Sequence, residues 1–213
     1  TIYITTINFI HCTFKDTNIY ASGDWNSDLS FVNVTWTDNA KIDMLYCNKV
    51  SFYKSMFVAV RVKDKAAFLS IMHIQQVSLL YCHVINVIEP LKNRIMKTKH
   101  KKQQGMPILG KISSLYEDHI ISMIDINFIT VDKCTFRHNT VGQYLLFIRN
   151  IQSLLIFKVA FISNRAMESG NILSVESVTI TKVISSYFLG PIDQYSRAVS
   201  MINVNTLAVI AIK

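Results

Sequence analysis

One pattern recurs along the chain and limits what it can fold into. Val77-Ser-Leu79-Leu-Tyr-Cys82-His-Val84 reads apolar-x-apolar, two residues, then apolar-x-apolar. The same pattern starts at Ile7, Ile129 and Leu154, and looser copies start at Leu29, Val50, Val178 and Leu207. The steps between starts are 22, 21, 27, 52, 25, 24 and 29 residues. Alternation inside each copy is the signature of a strand with one buried face. The two-residue spacer suits a bend onto a second sheet better than a hairpin.

A third apolar-x-apolar triplet stands six residues before most copies. Examples are Ile42-Asp-Met44, Leu69-Ser-Ile71, Ile121-Ser-Met123, Leu146-Phe-Ile148 and Gly170-Asn-Ile172. Single apolar residues sit midway, at Ile74, Ile126, Ile151, Val175 and Val204. Each period therefore holds three short strands and an inward corner residue. A period of this size repeated along a chain means stacked units that share one core. Three strands per turn, stacked at roughly 4.8 Å, is a parallel β-helix. The expected fold is all-β, a right-handed parallel β-helix of eight or nine turns. The leucine-rich alternative lacks its asparagine pattern, and a sandwich would show Asn-Gly or Asp-Gly turns, which do not occur.

Asn18, Asn39, Asn86, Asn139 and Asn164 follow the second strand of their copies. Asn tolerates the left-handed conformation and can stack as an amide ladder between turns. Cys12, Cys82 and Cys134 share one inward position and read as small core fillers. The 52-residue step places the turns of Cys82 and Cys134 apart, which argues against a disulfide between them.

Cys-Thr-Phe, then two or three residues, then Asn, at residues 12–18 and 134–139, resembles the repeat of the pectin-lyase-like superfamily of right-handed β-helices. The likeness is greatest to repeats of polymorphic outer-membrane and surface proteins. It covers most of the chain outside residues 90–118. It implies the β-helix fold and a range of functions: polysaccharide lyases and hydrolases, tailspikes, adhesins and surface proteins. The surface-protein repeats carry Gly before the third strand, and here only Gly170 fits that place.

The 213 residues are expected to form one β-helix domain over 1–213, part of a longer solenoid. Residues 90–118 read as a basic insertion or a degenerate turn. Lys92, Arg94, Lys97, Lys99, Lys101, Lys102 and Lys111 supply seven of the net +8 charges, with no acid among them. Lys92 to Lys102 are therefore candidate contacts for an anionic partner. No aromatic residue lies between Lys92 and Lys111, so nucleic acid is not expected. No uninterrupted apolar run is long enough for a transmembrane helix.

Enzymes of this superfamily work on one outer strip with clustered charged groups. The outward positions of the first strand read Asn8, Ser30, Ser51, Ser78, Thr130, Leu155, Thr179 and Ala208, none of them charged. No pair of carboxylates faces a common site, as glycoside hydrolysis requires. The six His and four Cys lack zinc-like spacing. No catalytic residue, metal or cofactor is expected. The outward residues turn apolar toward the C-terminal end, and Phe147, Leu155, Phe157, Ile184 and Ile210 are the candidate protein interface. Asn33-Val-Thr35 is a glycosylation sequon, with Asn33 the acceptor in a secreted chain.

The expected function is a non-catalytic structural or interaction module of an extracellular or cell-surface assembly. Its partners would be other protein chains or further turns of its own. The alternatives are a carbohydrate-active enzyme whose site lies outside these residues, and an intracellular assembly subunit held by the basic insertion.

Overall fold

The computed structural model describes residues 6–23, 25–61, 67–88, 119–166, 170–190 and 197–210. They form a parallel β-solenoid, without a helix among them. The first sheet stacks β1 (Thr6–Ile10), β4 (Asp28–Val32) and β7 (Lys49–Tyr53), then the C-terminal parts of five long strands. These are β9 (Leu69–Leu80), β11 (His119–Asp132), β14 (Tyr144–Phe157), β17 (Asn171–Ile184) and β19 (Arg197–Ile210). The second sheet stacks β2 (Thr13–Lys15), β5 (Thr35–Thr37), β8 (Met56–Val58), β10 (His83–Ile85), β12 (Thr135–Arg137), β15 (Ala160–Ile162) and β18 (Tyr187–Leu189). On the third face, β3 (Asn18–Ser22) pairs with β6 (Lys41–Leu45), and β6 pairs with the start of β9. From β9 onward the third and first strands of each turn run together as one bent strand. Every strand pair in the three stacks is parallel.

The coil makes about six turns, fewer than the eight or nine expected. Repeat copies mark rungs, and a set of rungs encloses fewer complete turns than it has members. β9 and β11 are also hydrogen-bonded neighbours, Val77 opposite Ile129 and Leu69 opposite Ile121. The 52-residue step therefore carries the chain from one rung to the next. Residues 90–118 lie outside the described residues.

Three corners close each turn, and among the described residues nearly every corner is made by one residue in the left-handed region. The first corner has His11, Asn33, Lys54, Tyr81, Lys133, Lys158 and Ser185. The second has Asp16, Asp38, Ala59, Asn86, His138 and Ser163, and the third Tyr46, His73, Asp125, Asn150, Ser177 and Asn203. Their φ angles lie between 49° and 59°. The left-handed twist brings the next residue's side chain back toward the carbonyl two positions earlier. Cys12, Thr17, Cys47, Ser55, Cys82, Cys134 and Ser186 all donate to that carbonyl. This explains the recurring Cys. Where the position carries a donor, it replaces one of the backbone bonds lost at the bend, and where it does not, as at Val34 and Val159, the side chain only fills the core.

The expected register holds except in β17. Thr181 lies opposite Leu154 and Val183 opposite Ile156, so the seventh copy starts at Thr181, three residues after the expected Val178. Val178 is the corner residue opposite Ile151, and Leu173-Ser-Val175 is the third strand in place of Gly170-Asn-Ile172. The outward residue of that rung is Lys182, not Thr179. The reason is that two overlapping stretches alternate in the same way, and Ile180, the more apolar option, is left 37% exposed.

The core is a set of in-register columns. Phe9, Phe31 and Phe52 stack at 5.0 and 4.9 Å, and Phe136, Phe161 and Phe188 at 4.8 and 4.5 Å. These spacings equal the strand spacing, so the ladder rather than ring preference sets them. Asn39, Asn139 and Asn164 stand one position past the second-corner apex, not in it as expected, and Asn86 alone of the group occupies an apex. Inside the corner, Asn139 Nδ2 donates to Asn164 Oδ1 at 2.8 Å and to the Val84 carbonyl, while its Oδ1 accepts from Val87 N at 2.9 Å. The amide ladder thus exists, pointing inward. Cys82 and Cys134 sit on adjacent rungs, contrary to the expected separation, because β10 pairs directly with β12. Both remain free thiols. Contact with Cys82, reinforced by burial, pushes the Cys134 thiol well up.

Candidate interaction face

The first sheet ends on a column that points outward just before the first corner. It reads Ile10, Val32, Tyr53, Leu80, Asp132, Phe157, Ile184 and Ile210, each opposite the next. Alternation explains the direction, since the residue before each is a core residue such as Phe52, Leu79 or Ile156. Three of the five expected interface residues, Phe157, Ile184 and Ile210, belong to this column. Leu155 lies in the next outward column, between Thr130 and Lys182. Phe157 and Ile184 are half-buried and Ile210 is exposed. These four form a contiguous apolar surface over β14, β17 and β19.

Phe147 does not join them. It points outward on the third face, as expected, yet it is only 6% exposed. Its ring stacks on His119 with centroids 4.3 Å apart, and His119 also meets Tyr144. Ser122 and Ser174, opposite Phe147 on the neighbouring rungs, are buried too. This strip is outward and covered at once. Burial holds the His119 imidazole down at about 4 from its ordinary 6.5. Among the described residues, His119 Nδ1, Asn171 Oδ1 and Ser174 Oγ are buried here and have no hydrogen-bond partner. Nothing in the sequence signals this cluster, because polar residues at outward positions read as solvated.

Beside the apolar column stands the apex of the first corner. Lys54 Nζ lies 5.2 Å from the Tyr53 ring centre, Lys133 Nζ 4.8 Å from that of Tyr81, and Lys158 Nζ 4.8 Å from that of Phe157. Lys133 Nζ also donates to the Tyr81 hydroxyl at 2.8 Å, and that bond raises the Lys133 pKa. Asn33 occupies an apex of this corner, exposed to solvent, so its amide is accessible as the sequon requires. At the third corner His73 Nδ1 lies 3.4 Å from Asp125 Oδ2, and Asn150 donates to Asp125 Oδ1 at 2.9 Å. These polar groups stack along the corner as a ladder, with Tyr46 against the His73 ring.

Among the described residues, no three His, Cys, Asp or Glu converge as a metal site would need. Lys92, Arg94, Lys97, Lys99, Lys101 and Lys102 lie outside the described residues. No protein-family model matches the sequence, and no curated protein matches it significantly.

Proposed function

We propose that this chain is a non-catalytic structural or protein-interaction module, of the kind found in extracellular and cell-surface assemblies. The observation that supports this most is the contiguous apolar surface made by Leu155, Phe157, Ile184 and Ile210. Soluble monomers seldom leave large apolar patches wet, and such patches mark places of association. The pectin-lyase-like likeness of the Cys-Thr-Phe repeats is consistent with this reading, since that superfamily includes adhesins and surface proteins. The partners are other protein chains or further turns of the same solenoid, whose strand edges pair with whatever parallel strand is offered. Light scattering on the purified chain should show self-association. Replacing Leu155 by Ser and Phe157 by Lys should reduce the apparent mass. A monomeric parent that cleaves an acidic polysaccharide would favour the enzyme instead.

A further inference from the structure

The three corners share one backbone and differ in what they display. A left-handed apex is most easily occupied by Gly, Asn or Asp, and other residues adopt it at a cost. The second and third corners hold mostly Asp, Asn, Ser and His at their apices. The first corner instead has Lys54, Tyr81, Lys133 and Lys158 in consecutive rungs, and no acid at any apex. Every apex of this corner is exposed. The only acid in the adjoining column is Asp132, whose Oδ1 is buried.

We propose that the crest of the first corner, with the apolar column beside it, docks peripherally on an anionic lipid bilayer. This goes beyond the association reading and adds a different partner. Three features point to lipid. The exposed lysines hold their ammonium groups over the Tyr53, Tyr81 and Phe157 rings, so cation and apolar body stand together on one crest, and long lysine stems let the charge reach headgroups while the rings meet acyl chains. The tyrosines combine an apolar body with a polar tip and prefer the membrane interface. The surface is an exposed crest of stacked rungs, roughly 4.8 Å apart. A small molecule would need a concave site. A fluid bilayer accepts a ridge, and its phosphates can replace the Tyr81 hydroxyl as partner of Lys133.

Each lysine near an anionic surface strengthens binding roughly five-fold, so three together give on the order of a hundred-fold. The test is co-sedimentation of the whole chain with phosphatidylcholine vesicles, with and without phosphatidylserine. We expect binding only to the phosphatidylserine vesicles, weakened by salt. The variant K54N/K133N/K158N suits the left-handed apices and should keep the fold, checked by circular dichroism, while losing on the order of a hundred-fold in binding. The variant K15E/K41E/R137E, which reverses three charges away from this crest, should bind as the parent does. No binding to vesicles, equal binding to neutral vesicles, or binding unchanged in the asparagine variant would each overturn the proposal. The last result would place the contact elsewhere, for instance in residues 92–102. Light scattering without lipid reads the association proposal separately, so either can fail alone.

Discussion

Phe147 and Phe157 lie on the same strand, both point away from the core, and their surroundings differ completely. Phe147 is 6% exposed and packed against the His119 ring. Phe157 is half-buried, flanked by Ile184 along its column and by the Lys158 ammonium over its face. Strand alternation fixes direction, but it does not fix cover. An outward residue near the first corner meets solvent, whereas an outward residue on the third face of the same rungs is withdrawn from it. The exposed strip is the one free to meet a partner.

The largest test of this contrast is truncation. Phe147→Ala should cost about 3–5 kcal/mol, the range for a buried aromatic ring. Phe157→Ala should cost about 1 kcal/mol, near the range of surface changes. Urea denaturation of both variants would measure this, and equal losses would mean that the two strips are equally buried.

The covered strip should also titrate. In the fold the His119 imidazole is held at about 4 against its ordinary 6.5, so the unfolded chain takes up the proton first. The stability tied to the neutral ring is fully present above about pH 6.5 and is lost as pH falls toward 4. The loss is on the order of 3 kcal/mol. His119→Phe should flatten the difference in stability between pH 7 and pH 4 relative to the parent. A parallel pH profile in the variant would show that the imidazole is wet.

Much of the fold could be read from the residues. The apolar-x-apolar pairs of β4, β9, β11 and β14 appear in the structure as expected, with Leu154 and Ile156 fully buried. The errors occur where apolarity and register disagree. In β17 the buried position opposite Leu154 belongs to Thr181, whose Oγ1 is buried without a partner, while Ile180 is part-exposed. No pattern based on apolar residues selects Thr over Ile. The Asn residues are expected at the apices, but Asn39, Asn139 and Asn164 stand one position past them, where Asn139 and Asn164 bond to the backbone of neighbouring rungs and Asn39 to the Asp16 carboxylate. Composition shows that Asn favours corners and not which side of one it takes. Cys82 and Cys134 seemed distant because sequence spacing counts residues, and rungs are joined by hydrogen bonds whatever lies between. Of the candidate face, the outward direction is legible for Phe147, Leu155, Phe157 and Ile210, whereas Ile184 is expected on the second strand and stands at the end of β17 in the first sheet, and the cover over Phe147 is not legible.

Thr181 supplies a smaller test on the inner side of β17, the neighbouring strand. Thr181→Val keeps the shape and removes the unpaired hydroxyl, so the chain should gain about 1 kcal/mol. A loss of that size would return the register to the one with Val178 and Ile180 inward.

The smallest expected effect separates the crest from the other corners. Ala59 and Lys158 are both exposed apex residues, with φ of 52° each. Asn accepts that conformation more readily than either, and the relief is worth about 1 kcal/mol. Ala59→Asn should realise nearly all of it, because the Ala side chain makes no polar contact that would be lost. Lys158→Asn also removes the ammonium from the Phe157 ring, a contact worth about 0.5 kcal/mol at an exposed site. Its gain should therefore be about half as large. Thermal melts of the two variants measured side by side give the difference directly. If Lys158→Asn gains as much as Ala59→Asn, the lysine contributes nothing to the folded state. Its presence at a strained apex would then have to come entirely from what the crest binds.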